Sequence, residues 1–284
     1  MDAALADGGL HGHLYFVPVL IAVGVVAGYV AGLFGIGGGV MLVPAFVTVF
    51  PFVGTSHAVL MHSAVGTCLA LIVPGAIMSS RKQYQQGNLE LPLLRSWLPA
   101  VSVGIVLGAL LMRVFPTLAL KLLFVIFLLC ATLYALMKKE AEEGSYGLPP
   151  PRIRKAAGVF IGALSVMLGI GGGTFSVPFY RYFQYPLKRA IALSSATGAV
   201  IGAGGAIGAV VTGWGLVGRA PYSLGYVNIA AFLILTPCMM IFSPLGSKSA
   251  NALPERLLKR TYIIFLGVMT LYMAYQTYVA IERY

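Results

Sequence analysis

The chain has 284 residues, 59% of them hydrophobic and only 10% charged, with a mean hydropathy of +0.90. A soluble domain carries about a quarter charged residues, so this composition cannot cover a water-facing surface and leaves no room for a separate soluble domain. The formal net charge of +11 would suggest nucleic acid in a soluble protein; here the basic residues sit between long apolar stretches, which points to orientation in a bilayer and to no nucleic-acid partner.

The first residues, MDAALADGGLHGH, contain no Lys or Arg. Residues 1–13 are therefore expected to be a short extramembrane tail, lacking the basic start of a secretory signal; His11 and His13 belong to that tail and suggest no metal site. Apolar stretches follow at 14–34, 40–53, 57–80, 91–112, 117–137, 156–170, 174–184, 187–212, 224–246 and 257–281. The first two are separated by GIGGGVMLVP (35–44), and the sixth and seventh by GIGGGTFSVP (169–178). Superposing these phrases brings HAVLMHSAVG (57–66) beside RAIALSSATG (189–198), and FPTLALKLLFVIFL (115–128) beside LPERLLKRTYIIFL (253–266). The expectation is an all-α polytopic membrane protein of two repeats, 14–137 and 156–284. Each is a Gly-rich broken-helix hairpin plus three transmembrane helices, and the two are joined by a cytoplasmic linker, 138–155.

Fourteen of the 19 Lys and Arg residues lie in 81–88, 138–155, 181–189 and 247–260. If basic loops are cytoplasmic, both termini are extracytoplasmic, and helix 57–80 runs opposite to its counterpart 187–212. The repeats are then inverted. Each glycine hairpin must enter and leave on one side, and a helix starting at Pro44 or Pro178 would cross only about half of a ~30 Å hydrocarbon core. Such a multi-pass chain belongs in the cell (inner) membrane, with the bilayer as its partner. The oligomeric state is left open, a homodimer included.

Non-helical backbone at membrane depth is tolerated only where protein or a water-lined cavity satisfies it, and inverted broken helices around a central site are a transporter design. A helix starting after each GIGGG aims free amide hydrogens and a positive dipole end at the break, which suits an anion. Close helix packing is the other use of such glycines. Nucleotide readings fail, because Val40 and Thr174 stand where a phosphate loop needs Lys and a dinucleotide fingerprint its third Gly. All eight acidic residues lie in tails, loops or at a span edge, so no buried carboxylate favours a cation.

The candidate substrate-binding residues are Gly35, Gly37, Gly38, Gly39, Gly169, Gly171, Gly172 and Gly173, with Ser63 and Ser195 at matched positions and His62 and Ser194 beside them. Hydroxyls inside helices also bond their own backbone, and His62 serves equally as a structural histidine or a proton carrier. Arg95 and Lys121 are expected to snorkel to the interface. Cys68, Cys130 and Cys238 show no paired spacing, so neither disulfide, metal nor cofactor is expected. An intramembrane serine hydrolase is the rival from another class. Adjacent His62 and Ser63 diverge by about 100° on a helix, and no buried acid is available to orient a base, so no catalytic residue is assigned. An anion channel is the nearer alternative.

The paired GIGGGxxxVP phrases, the HSAVG and SSATG segments and the inverted halves resemble the TauE/SafE family of membrane proteins over about residues 20–275. The resemblance implies a secondary transporter exporting a small sulfur-containing anion such as sulfite or an organosulfonate. It places the anion near Gly35, Gly37, Gly38, Gly39 and Pro44, Gly169, Gly171, Gly172, Gly173 and Pro178, with Ser63 and Ser195. Where the family commonly has a threonine before that serine, this chain has His62 and Ser194.

Overall fold

The computed structural model describes residues 10–34, 38–137 and 147–282. The first half comprises α1 (Leu10–Phe34), α2 (Gly39–Val49) continued by a 3-10 turn (Phe50–Val53), α3 (Leu60–Gln85), α4 (Leu91–Val114) and α5 (Thr117–Met137). The second comprises α6 (Pro151–Leu168), α7 (Gly173–Tyr182), α8 (Leu187–Thr212), α9 (Ile229–Ala252) and α10 (Glu255–Glu282). A two-residue hairpin, β1 (Ser223–Leu224) and β2 (Val227–Asn228), precedes α9. Among the described residues, seven helices are long and apolar enough to cross a membrane. The protein is an all-α, multi-pass membrane protein. Large side chains such as Val106, Leu110, Ile207, Ile264 and Leu271 face outward, which only a lipid surround makes cheap.

Close backbone approach through glycine fixes the helix pairs. A Cβ on Gly32 of α1 would stand 1.9 Å from the Ser243 carbonyl oxygen of α9, and one on Gly246 of α9 would stand 2.0 Å from that of Tyr29. The α4–α6 pair repeats the device, with Gly104 opposite Val159 and Gly162 opposite Val101. Both pairs run parallel. The central pair runs the other way: Gly66 of α3 faces Ala209 of α8, Leu69 faces Gly205, and Ala76 faces Gly198. Because α3 and α8 carry the matched HSAVG and SSATG segments, their antiparallel crossing is the geometry that two inverted halves require.

Four details differ from the sequence expectation. Pro44 and Pro178 lie inside α2 and α7, which begin at the last glycine of each phrase. The missing proline amide hydrogen leaves the Val40 and Thr174 carbonyls without their donor one turn on, one intrahelical bond lost in each helix. Helix α6 starts at Pro151, so Arg152, Arg154 and Lys155 fall in its first turns. Helix α9 starts at Ile229 and not near 224, because Asn228 caps it by accepting from the Ala231 amide at 2.8 Å. Lys121 is buried, 4% exposed, at the head of α5, where it lines a cavity with Thr117 and Gln276.

Helix α7 has ten residues, about 15 Å at ~1.5 Å per residue. It begins opposite Gly198 and Ile201, near the middle of the 26-residue α8, and leads into the turn before α8 starts. The second arm of that hairpin is therefore a half-span.

Candidate functional site

The two glycine phrases meet. A Cβ on Gly39 would lie 2.4 Å from the Gly169 carbonyl oxygen and 3.1 Å from the Ile170 Cα, so only glycine permits this contact. Gly38 caps α2 in the left-handed region at φ +80°, and Gly169 ends α6 at φ +67°. At the latter turn the Ile170 amide donates back to the Ser165 carbonyl at 3.0 Å, a left-handed helix end that glycine adopts without a Cβ penalty. Gly171 packs on Ile72 of α3, and Gly172 packs on Thr197, Gly198 and Ile201 of α8. The crossing thus sits at mid-height against the central antiparallel pair. Gly35 and Gly37 lie outside the described residues; Gly38, Gly39, Gly169, Gly171, Gly172 and Gly173 are brought together here.

Each break opens a helix. The Met41 and Leu42 amides donate to the Gly38 carbonyl, and those of Thr174 and Ser176 donate to Gly171 and Gly172. The first amides of α2 and α7 have no intrahelical acceptor, as at any helix start, and both helix starts point into the middle of the bundle.

The four side-chain candidates separate. Ser63 is 1% exposed, and its hydroxyl has no hydrogen-bond partner among the described residues. Its matched residue Ser195 is half-buried and donates to the Ile191 and Ala192 carbonyls of its own helix, both at 3.0 Å. Ser194 is buried on the same turn. His62 faces the corner between α4 and α5: its Nε2 is 2.8 Å from the Met112 carbonyl and 3.1 Å from that of Phe115. The Thr117 hydroxyl lies 3.4 Å from its Nδ1, and its ring stacks on Tyr226 at 5.0 Å. That histidine ties the end of α4 to α3 and makes no pair with Ser63.

Polar residues that the phrases alone did not single out surround the second break. Ser165, Thr174, Ser176 and Tyr180 all carry buried hydroxyls without partners among the described residues. Trp97 of α4 donates to the Thr197 hydroxyl at 3.1 Å, and that hydroxyl donates to Leu193. The signal was present in GIGGGTFSVP, where Thr174 and Ser176 replace Val40 and Leu42 of the first phrase.

Two cavities lie toward opposite ends. One, of about 540 Å³, is lined by Glu90, Gly147, Leu148, Tyr185, Pro186 and Arg189. Glu90 and Arg189 form an ion pair there. Burial, with Glu90 beside it, pushes the Tyr185 hydroxyl pKa above the ordinary tyrosine value. The other cavity, of about 380 Å³, is lined by Thr48, His57, Thr117, Lys121, Gln276 and apolar neighbours.

Comparison with known proteins agrees with this architecture. The family described as sulfite exporter TauE/SafE matches residues 20–273. A protein of Haemophilus influenzae named "Probable membrane transporter protein" is 33% identical over 259 residues, covering 91% of this chain and 98% of its own length. A similarly named protein of Methanocaldococcus jannaschii is 30% identical over 267 residues, covering 92% and 96%. A third, of Bacillus subtilis, is 25% identical over 208 residues, covering 64% and 76%. No solved structure matches the chain. The chain belongs to the TauE/SafE family, and it is a membrane transporter, not an enzyme.

Proposed function

We propose that this TauE/SafE transporter carries a small sulfur-containing anion, sulfite or an organosulfonate, outward across the cell (inner) membrane, and that it binds the anion where the glycine breaks cross. The observation that supports this reading is the contact of Gly39, at the start of α2, with Gly169, which ends α6 four residues before α7 begins at mid-height. Helix starts favour negative charge through free amides and the dipole, and Ser63 adds an unpartnered hydroxyl on α3.

In this reading the basic loops are cytoplasmic, both termini are extracytoplasmic, and the two halves rock as inverted repeats to open the crossing to either side. The inside-negative potential favours anion expulsion by about 2.3 kcal/mol per charge per 100 mV, so uniport suffices. His62 has a corner-stabilising role and Ser195 a helix-internal one, which leaves Ser63 and the glycines as the binding groups of the first half.

The test is thermal stabilisation of the purified protein by sulfite, thiosulfate, sulfate, sulfoacetate, taurine and chloride. A ligand that binds only the folded state raises its stability as the ligand passes its dissociation constant. One sulfur oxyanion is expected to raise the midpoint of the wild type and not of Gly38→Val, with Ser63→Ala needing more anion. A wild type indifferent to all six would remove the anion reading.

A further inference from the structure

Behind the glycine breaks the two halves diverge at aligned positions. Extending the match of the phrases without a gap pairs Leu20 with Arg154, Leu42 with Ser176, and Phe46 with Tyr180. In the first half all three are apolar and 0% exposed. In the second, Ser176 and Tyr180 are equally buried, also 0% exposed, yet among the described residues neither hydroxyl has a partner, and the Arg154 Nε is likewise buried without one. Leaving a buried hydroxyl unsatisfied costs about 1–3 kcal/mol, and the first half shows that the fold accepts hydrocarbon at these places. Packing alone does not explain the polar set.

These groups form a line. Gly172, Ser176 and Tyr180 follow at one-turn intervals and share a face of α7. Helical side chains lean toward the N-terminus, so Ser176 leans toward Gly172 and Tyr180 toward Ser176. Beyond Tyr180 the line continues to the end of the bundle that carries the basic loops. Arg154 is close enough to act electrostatically on the Tyr180 hydroxyl. The Tyr180 ring packs on Tyr185 at 5.6 Å, and Tyr185 lines the cavity of about 540 Å³ with Glu90 and Arg189. Among the described residues, the acid on this line, Glu90, is already held by Arg189.

We infer that this face of α7, with Arg154 at its head, is the entry route by which an oxyanion passes from the basic-loop end to the crossing, and that the matching face of α2 is an apolar seal. The inference rests on the anion reading above. Arg154 donates and cannot accept, and the hydroxyls offer donors one helical turn apart, which together replace the hydration of a solute bearing several acceptor oxygens. A cationic solute would be repelled at the head of the line.

Cysteine accessibility tests the route in the full chain, reconstituted after Cys68, Cys130 and Cys238 are replaced by Ala. Ser176→Cys and Tyr180→Cys should react with a membrane-impermeant thiosulfonate added at the basic-loop side. A negatively charged reagent should react several-fold faster than a positively charged one, and methanesulfonate should slow it. Leu42→Cys and Phe46→Cys should stay unmodified from either side. Silence at 176 and 180, absence of charge preference, or equal reaction at 42 and 46 would each overturn the route. In the otherwise native chain, Ser176→Ala and Tyr180→Phe should weaken stabilisation by sulfite about tenfold or more without lowering the unliganded midpoint, with Ser96→Ala, whose exposed hydroxyl bonds Leu93, unchanged. An unchanged sulfite response in both variants would also count against the route. If the wild type ignores sulfite, thiosulfate and methanesulfonate while the charge-selective labelling persists, the anion assignment falls and a different acceptor-rich solute takes the route.

Discussion

One turn and two turns past Gly38, α2 carries Leu42 and Phe46; one turn and two turns past Gly172, α7 carries Ser176 and Tyr180. All four side chains are fully buried. The two hairpins share a plan, a short helix after a glycine phrase with a proline six residues into it, although the capping Gly38 is left-handed and its counterpart Gly172 right-handed. The chemistry lining the helix behind each break is not alike. The two halves pack in the same way, α1 on α9 as α6 on α4, while Ser176 and Tyr180 lie on one half. A pair of similarly packed halves with unlike linings can rock against each other and still treat the two ends differently.

The most severe way to break this comparison is to separate the two halves where they touch. Gly39→Val places its Cβ 2.4 Å from the Gly169 carbonyl oxygen, a backbone atom that cannot step aside. Overpacking of this kind costs about 1–3 kcal/mol and occasionally more, and here it should reach the upper end or prevent folding, read as loss of monodisperse protein after extraction. Gly171→Ala is the contrast, because its Cβ would meet Ile72 at an ordinary 3.4 Å and the protein should fold.

Next in size is a single-atom exchange across the halves. Phe46→Tyr adds a hydroxyl to a fully buried apolar wall and should cost about 1–3 kcal/mol. Tyr180→Phe removes a hydroxyl that has no partner and should leave stability unchanged or slightly raised. Denaturant unfolding in detergent reads both. Equal losses at the two positions would mean that Tyr180 is structural, and the asymmetry of lining would lose its functional sense.

The elements and their order were legible because apolar runs of membrane length, broken by two identical glycine phrases, leave few alternatives. The meeting of the breaks was legible for the same reason. What could not be read is where each polar side chain points. Ser63 and Ser195 occupy matched positions, but one stays unpartnered while the other bonds its own helix, a difference set by packing from other elements. His62 looked available until the turn between α4 and α5 brought two carbonyls to it. Lys121 sat where snorkelling is usual, yet the end of α10 lines the same cavity beside it. Asn228 gave no periodic signal; it caps α9 and is held from α3 by the Thr67 hydroxyl, which accepts from its backbone amide at 3.0 Å.

Two tethers across the halves sharpen the comparison further. Trp97 in the first half donates to Thr197 in the second, and Thr67 in the first accepts from Asn228 in the second. Trp97→Phe should cost about 1 kcal/mol through the hydrogen bond, and Thr67→Val a similar amount. A much larger loss for either would show that the mid-height contacts are unequal.

The smallest expected effect belongs to the Glu90–Arg189 pair, the ion pair found among the described residues, with the two side chains 34% and 52% exposed. At that exposure a pair contributes about 0–1 kcal/mol and weakens with salt, so Glu90→Gln should barely move the unfolding midpoint at low ionic strength and not at all in high salt. Its position gives it a second possible readout, because it joins the α3–α4 loop of one half to the start of α8 in the other, at the mouth of the Tyr185 cavity. A fastening that matters to rocking would change the transport rate while leaving stability alone, since a few tenths of a kcal/mol shift a two-state opening measurably. A rate and a midpoint that both stay put would make the pair a bystander, and the control of that end would then pass to the buried line behind it.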